Sequence, residues 1–158
     1  MIENYLTIME DSLKQKLVIL DEIAVYSKKQ EELLKQDKLS FDEFDVCVDK
    51  KDALIQKLAG LDEGFEALYE RTKVQLQENR QAYQNQIARL QILVRQVTEK
   101  GIFIQAQESR NKTMVEQHFK DLRKEMKQSR QKSKAAYDYY RSMNNANVMP
   151  PQFLDQKK

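Results

Sequence analysis

Apolar residues recur at spacings of three and four along most of this chain. In the first segment they form one stripe, which predicts a helix over residues 3–37. Acidic residues near its start and lysines near its end suit the helix dipole. The stripe consists of Leu6, Met9, Leu13, Leu17, Leu20, Ala24 and Leu34.

A second, shorter helix is predicted over residues 41–59. Ser40, followed three residues later by Glu43, has the pattern of a capping box ahead of an apolar periodic run. We expect this helix to end near Gly60, because glycine commonly follows the last helical residue.

A third helix is predicted over residues 63–141, with Asp62 as its N-cap. A heptad-like 3-4 pattern runs from Tyr83 to Met126, and the first proline is Pro150. At ~1.5 Å per residue, this helix would be roughly 100 Å long or more, about twice the length of the first. The first helix cannot cover it alone, so either the third helix bends back or another chain covers the exposed seam.

The pattern of the third helix weakens in the middle. Glu108 and Asn111 occupy seam positions, and Gly101 costs about 1 kcal/mol relative to alanine inside a helix. The pattern is compatible both with a straight third helix and with one that is kinked near 101–112.

These elements predict an all-α fold, an elongated antiparallel helical hairpin or bundle of three main helices with coiled-coil-like packing. Residues 1–143 would form a single helical domain and residues 144–158 an extended or disordered C-terminal tail. The composition agrees, because three glycines and two prolines in 158 residues allow few turns.

Charge is distributed unevenly along the chain. Residues 1–70 hold 9 Lys/Arg and 17 Asp/Glu, a net charge of −8, whereas residues 71–158 hold 18 and 8, a net charge of +10. In an antiparallel hairpin these two halves would face each other, and we favour this interpretation over a nucleic-acid-binding face.

The sequence offers no catalytic or metal-binding constellation and implies no cofactor. His118 is the only histidine, and Cys47 is the only cysteine; both are expected to be packing residues. No glycine-rich phosphate-binding loop is present. Four aspartates spaced three and four apart lack the glycine turn of a calcium loop and predict a solvated helix face: Asp42, Asp45, Asp49 and Asp52.

The chain also lacks an apolar run of the ~20 residues that span a bilayer, and it does not open with a signal peptide pattern. We therefore expect a cytoplasmic, non-enzymatic protein with no membrane insertion and no nucleic-acid partner.

The last third of the chain carries an apolar stripe rich in methionine. Flexible thioethers suit surfaces that accept the apolar residues of a partner helix. The alternative is that the same residues pack on the first helix. The candidate anchors are Met114, Val115, Phe119, Leu122 and Met126.

The C-terminal sequence VMPPQFLDQKK differs from everything before it. Its two prolines cannot continue a helix, and its only apolar anchors are Phe153 and Leu154. Two interpretations remain: a tail that is disordered without a partner, and a tail that docks on an open seam or on another protein.

The order of these features resembles the FlgN-type flagellar export chaperones. The run KKDALIQKLAGLDEGFEALY (50–69) is similar to the second helix of that family through Lys51, Leu54, Ile55 and Leu58. The run ESRNKTMVEQHF (108–119) is similar to the Asn-centred motif of its third helix. Asn111, Met114 and Val115 take the Asn-x-x-Leu-Leu positions, whereas an earlier paired Asn of the family is missing.

This resemblance implies a cytoplasmic chaperone for flagellar type III export. Such a protein binds the amphipathic C-terminal helix of a hook–filament junction or cap subunit, prevents its premature assembly and delivers it to the export apparatus. It adds Asn111 to the candidate partner-binding residues. The alternative is a structural coiled-coil homodimer without a client, in which the overhanging third helix pairs with its twin.

Overall fold

The computed structural model describes residues 1–128, which form three helices and no strand. The helices are α1 (Ile2–Leu34), α2 (Phe41–Glu78) and α3 (Gln84–Gln128). This confirms the predicted all-α class. The end of the predicted third helix and the predicted tail 144–158, with Phe153 and Leu154, lie outside the described residues.

α1 is the central element of the bundle. It packs along both α2 and α3, whereas within residues 1–128 no Cα of α2 lies within 8 Å of a Cα of α3. The connections at 35–40 and 79–83 are short, so each helix runs opposite to the one before it. The first and third helices are therefore parallel, with α2 antiparallel to both.

Cross-helix ion pairs follow this parallel arrangement. Arg89 Nε lies 2.9 Å from Glu10 Oε1, and Lys100 Nζ lies 2.8 Å from Asp21 Oδ1. Both pairs join acidic α1 to basic α3. In both, the α3 residue follows its α1 partner by the same number of residues, as parallel helices require. Acidic α1 and basic α3 thus meet within one molecule, although as parallel helices and not as the predicted antiparallel pair.

The predicted turn at Gly60–Asp62 is wrong, because α2 continues through it to Glu78. Neither Gly60 nor Gly64 has a positive φ, so neither terminates the helix. The chain reverses at 79–83 instead, where Asn79 Nδ2 donates a hydrogen bond to the carbonyl oxygen of Gln75. Packing outweighs the low helix propensity of two glycines, because the apolar repeat continues in phase across them through Leu54, Leu58, Leu61, Phe65, Leu68, Thr72 and Leu76.

Moving the turn by about twenty residues removes the predicted length mismatch. The three helices have 33, 38 and 45 described residues, which correspond to roughly 50, 57 and 68 Å. α3 is a single α-helix through the region 101–112, where a kink had been allowed, and Gly101 is buried in it. Within the described residues, α3 has no long uncovered overhang.

The buried face of α1 follows a strict 3-4 spacing. Several of its positions are polar, and Leu17 and Ala24 of the predicted stripe lie half-buried beside them. Around Ser27 and Gln30 a polar layer separates a large apolar cluster from a smaller one at the other end of α1. The buried positions are Leu6, Met9, Leu13, Lys16, Leu20, Ile23, Ser27, Gln30, Leu33 and Leu34.

Candidate functional site

The predicted partner-binding stripe from Met114 to Met126 lies inside the protein, which agrees with the alternative that its residues pack within the bundle. Val115 is fully buried in a cluster with Leu34 and Phe44. Phe119 and Leu122 are buried too and pack near Phe41. Met114 and Met126 are half-buried beside these clusters. The turn predicted near Gly60, which would have left this stripe uncovered, does not exist. α1 and the start of α2 cover the stripe.

Asn111 is likewise committed to contacts within the chain. Its Nδ2 donates a hydrogen bond of 2.9 Å to the carbonyl oxygen of Ser27, and its Oδ1 accepts one of 2.9 Å from Gln107 Nε2. The side chain therefore fixes α3 against α1. A partner would have to displace both bonds to use this residue.

His118 and Cys47 are packing residues, as their isolation in the sequence predicts. His118 Nε2 lies 2.7 Å from the carbonyl oxygen of Leu34, to which it donates. Cys47 is buried in the smaller apolar cluster, and burial raises the pKa of its thiol. In the part of the chain that the structure describes, no group of His, Cys, Asp or Glu could hold a metal ion.

The polar layer contains a buried ion pair between α2 and α3. Lys51 Nζ lies 2.5 Å from Glu108 Oε1, and Ser27 Oγ donates a hydrogen bond to the same oxygen. Lys51 Nζ also lies 3.4 Å from Ser27 Oγ. Long side chains thus connect α2 and α3 across α1 at a level where their backbones do not meet.

A cleft opens between α2 and α3 on the side of the 79–83 turn. Its volume is about 950 Å³, and its floor is formed by α1 residues between Met9 and Lys16. Both walls contain apolar side chains, of which Tyr69 and Val94 are exposed and Phe65 is half-buried. The apolar side chains of the walls are Ala59, Phe65, Tyr69 and Leu76 on α2 and Ile87, Leu90, Val94 and Val97 on α3.

The two walls of the cleft differ in charge. The α3 wall contributes Gln91 and no charged side chain, whereas the α2 wall carries carboxylates along its length. Glu70 Oε2 is paired with Lys73 Nζ at 2.7 Å, and Arg80 lies at the end of this wall. The wall is therefore most acidic away from the turn, at Asp62, Glu63 and Glu66.

Asp62 and Lys16 form an ion pair that belongs to the cleft. Both residues line it, and the Lys16 side chain is only 4% exposed. Lys16 Nζ pairs with Asp62 Oδ1. The other carboxylate oxygen, Oδ2, is buried and has no hydrogen-bond partner among the described residues. Asp62 and Lys16 thus form a polar contact between α2 and the α1 floor of the cleft.

The apolar repeat of the sequence indicates the two walls of this cleft, but Gly60 and Gly64 led to the prediction of a turn within one of them. The 3-4 repeat passes through Gly60 and Gly64 without a change of phase, and a polar run from Asn79 to Gln81 interrupts it. Placing the turn at 79–83 would have brought 59–77 opposite 87–97. The unpaired oxygen of Asp62 has no signature in the sequence, because it depends on what surrounds it.

Within residues 1–128, none of the helices is both long and apolar enough to cross a membrane. No protein-family model, curated protein or solved structure matches this chain.

Proposed function

We propose that this chain binds one amphipathic helix of a partner protein, whose apolar face fills the cleft between α2 and α3. The observation that carries the proposal is the cleft itself, about 950 Å³ between two helices that both pack on α1 and not on each other. The function is binding, and no catalytic step is assigned to it.

Packing physics favours a helix as the occupant. In four-helix bundles every member contributes one apolar stripe to a shared core, and here the stripes of α2 and α3 face an open space. Leu90 is buried, whereas Phe65 and Ile87 remain half-buried. The cleft runs ~27 Å along residues 59–77 of α2 and ~15 Å along residues 87–97 of α3. About ten residues of a partner helix would therefore meet both walls. Apolar anchors at i, i+3, i+4 and i+7 of a partner helix would meet these walls.

Charge indicates the orientation of that helix about its own axis. The α2 wall is acidic at Asp62, Glu63 and Glu66, and the α3 wall carries no charge. Complementary charge guides association and disfavours wrong partners. The partner helix should therefore bear lysine or arginine on the flank that faces α2 and uncharged residues on the flank that faces α3.

The narrower form of the proposal is a cytoplasmic chaperone for flagellar type III export. It is supported by the sequence resemblance of 50–69 and 108–119 to FlgN-type chaperones. In this form the occupant is the C-terminal helix of a hook–filament junction or cap subunit, and its apolar face is kept from assembling. The client would bind at the cleft and not at the stripe from Met114 to Met126.

A second copy of the chain is the rival occupant. The overhang that suggested a homodimer is absent from the described residues, because α3 begins at Gln84 and not at 63. Sedimentation of the free chain at low micromolar concentration tests this alternative. A dimer that the substitution Val94→Asp converts to a monomer would assign the cleft to self-association.

The proposal is tested with labelled peptides that correspond to the C-terminal helices of hook–filament junction and cap subunits. Binding to the full chain is measured by fluorescence anisotropy. Val94→Asp places a charge in the cleft at a side chain that is 38% exposed, and it should weaken binding by about tenfold or more. Val25→Asp is the matched control, because Val25 is 64% exposed on α1 and lies outside the cleft.

If both variants lost binding equally, or if neither lost binding, the cleft would not be the binding site. Failure of every flagellar peptide would remove the flagellar client and leave the general helix-binding function to be tested with other helices. Circular dichroism of each variant verifies that the helices remain folded.

A further inference from the structure

Basic side chains share one exposed face of α3 beyond the cleft. Each of them has a neighbour in this group three or four positions away, and residues at these separations lie side by side on a helix. All are exposed, whereas Phe119 and Leu122 on the same turns of the helix are buried. This basic face consists of Lys120, Arg123, Lys124 and Lys127.

The charges of the basic face are not balanced within residues 1–128. None of its side chains forms an ion pair with a residue of that range. Elsewhere on the helices, lysines pair with a carboxylate three positions away, as Lys28 does with Glu31 and Lys73 with Glu70. Like charges at these separations destabilise a helix. The basic face is therefore kept against a local cost, which is a property expected of functional surfaces.

Arg123 is held in place on this face by an aromatic ring. Its Cζ lies 4.1 Å from the centroid of the Phe119 ring, a cation–π contact. A guanidinium held in this way still offers N–H donors to a carboxylate, which it can bind through two parallel hydrogen bonds. Exposed carboxylates at the margins of the face are those of Glu116 and Asp121, and Asp121 accepts a hydrogen bond from Gln117.

The charge of the remaining molecule favours a short acidic segment as the ligand. Residues 1–128 hold 21 Lys/Arg and 23 Asp/Glu, a net charge of −2, so a long polyanion would be repelled beyond the basic face. Phe41 packs against Phe119, which brings the acidic start of α2, at Asp42 and Glu43, to the same end of the bundle. Nucleic acids gain affinity from many phosphate contacts, more than four side chains supply. A membrane surface would require an exposed apolar face beside the charges, and here that face is buried.

We propose that the basic face binds an acidic segment of a partner protein through ion pairs with its carboxylates. The site is separate from the cleft, because Val97 is the last cleft residue on α3 and Lys120 follows roughly 35 Å further along this helix. The chain thus offers two sites of different chemistry, an apolar one near the 79–83 turn and a basic one at the opposite end of the bundle. The inference does not depend on the proposed function of the cleft.

The probe is a fluorescein-labelled peptide of alternating glutamate and serine, and its control peptide has glutamine in place of every glutamate. Binding of each peptide to the full chain is measured by fluorescence anisotropy at low and at high salt. The glutamate peptide should bind and the glutamine peptide should not. High salt should weaken the binding, because ion pairs between exposed groups are screened.

The double variant Lys120→Gln/Lys124→Gln should weaken binding of the glutamate peptide roughly two- to thirtyfold, because two exposed ion pairs are lost. Lys50→Gln/Lys57→Gln is the matched control, since it removes the same charge from exposed lysines of α2 and should leave the binding unchanged. All substituted side chains are exposed, and circular dichroism verifies that both variants remain folded. Val94→Asp should also leave binding of this peptide unchanged.

Equal weakening in both double variants, or no saturable binding of the glutamate peptide at low salt, would overturn the inference. Tighter binding of mixed-sequence duplex DNA or of phosphatidylserine vesicles at the same salt would also overturn it, because the ligand would then carry phosphates. A loss of binding in Val94→Asp would assign the acidic peptide to the cleft and remove the separate site. Failure of the helical peptides at the cleft would leave the basic face standing.

Discussion

Lys51 Nζ lies 2.5 Å from Glu108 Oε1, and the two side chains are only 3% and 7% exposed. This ion pair connects α2 to α3 at one level of the bundle, and the turn at 79–83 connects them at the end. The cleft lies between these two connections. The pair therefore sets the position of both walls of the candidate binding site relative to each other.

Glu108→Ala should destabilise the fold strongly. It leaves the Lys51 ammonium buried without a counter-charge, which costs about 3–5 kcal/mol when one partner of a buried pair is removed. Urea unfolding followed by circular dichroism measures this change. The double variant Lys51→Met/Glu108→Leu should recover most of the stability, because neither charge then remains buried. A single variant as stable as the unaltered chain would show that the pair is solvated.

Phe119→Ala should also lower stability, by about 3–5 kcal/mol, because it opens a cavity in the packing near Phe41. Phe103→Ala is the matched control, since Phe103 is 58% exposed on the same helix and surface substitutions usually change stability by less than about 0.5 kcal/mol. Charged substitutions at Phe119 and Leu122 are therefore expected to unfold this region, because both side chains are buried. If both alanine variants proved equally stable, Phe119 would belong to a surface.

Gly60→Ala should stabilise the protein by about 0.5–1 kcal/mol, because Gly60 lies inside α2 and alanine is the better helix former. A Cβ at this position meets no atom within 4 Å. Thermal unfolding of Gly60→Ala, and of Gly64→Ala as a second instance, measures the gain. A turn at Gly60 with positive φ would give the opposite sign, since alanine is strained there.

Glu31 should make the fold sensitive to acid. A hydrogen bond from Lys28, followed by those from Gln107 and Lys35, lowers the pKa of this carboxyl from 4.5 to about 2. A carboxyl whose pKa is lower in the folded state stabilises the fold above its unfolded pKa, and this contribution disappears as the pH falls through the folded pKa. The stability of the unaltered chain should thus fall between pH 4.5 and pH 2 more steeply than that of Glu31→Gln. Parallel slopes in urea titrations at pH 5, 4 and 3 would contradict this.

The sequence by itself determined the helical class and the start of α2. The apolar repeat at three and four selects helices, and Ser40 is the N-cap residue of α2, which begins at Phe41. The capping-box hydrogen bond predicted from Ser40 and Glu43 is not formed, because the Ser40 side chain makes no cap hydrogen bond. His118 and Cys47 were recognisable as packing residues, because neither has the neighbours that a reactive site requires. These properties depend on local periodicity and on residue chemistry, which can be read along the chain.

Only the tertiary structure decided where the chain reverses and which faces remain open. Gly60 weakens a helix by about 1 kcal/mol, and the packing of α2 on α1 outweighs this cost. No local sequence pattern reveals that packing. The misplaced turn made the stripe from Met114 to Met126 look uncovered, and it concealed the cleft. Whether Val115 is core or surface, and whether Asp62 Oδ2 finds a donor, depends on helices distant in sequence, because burial is a property of the assembled bundle.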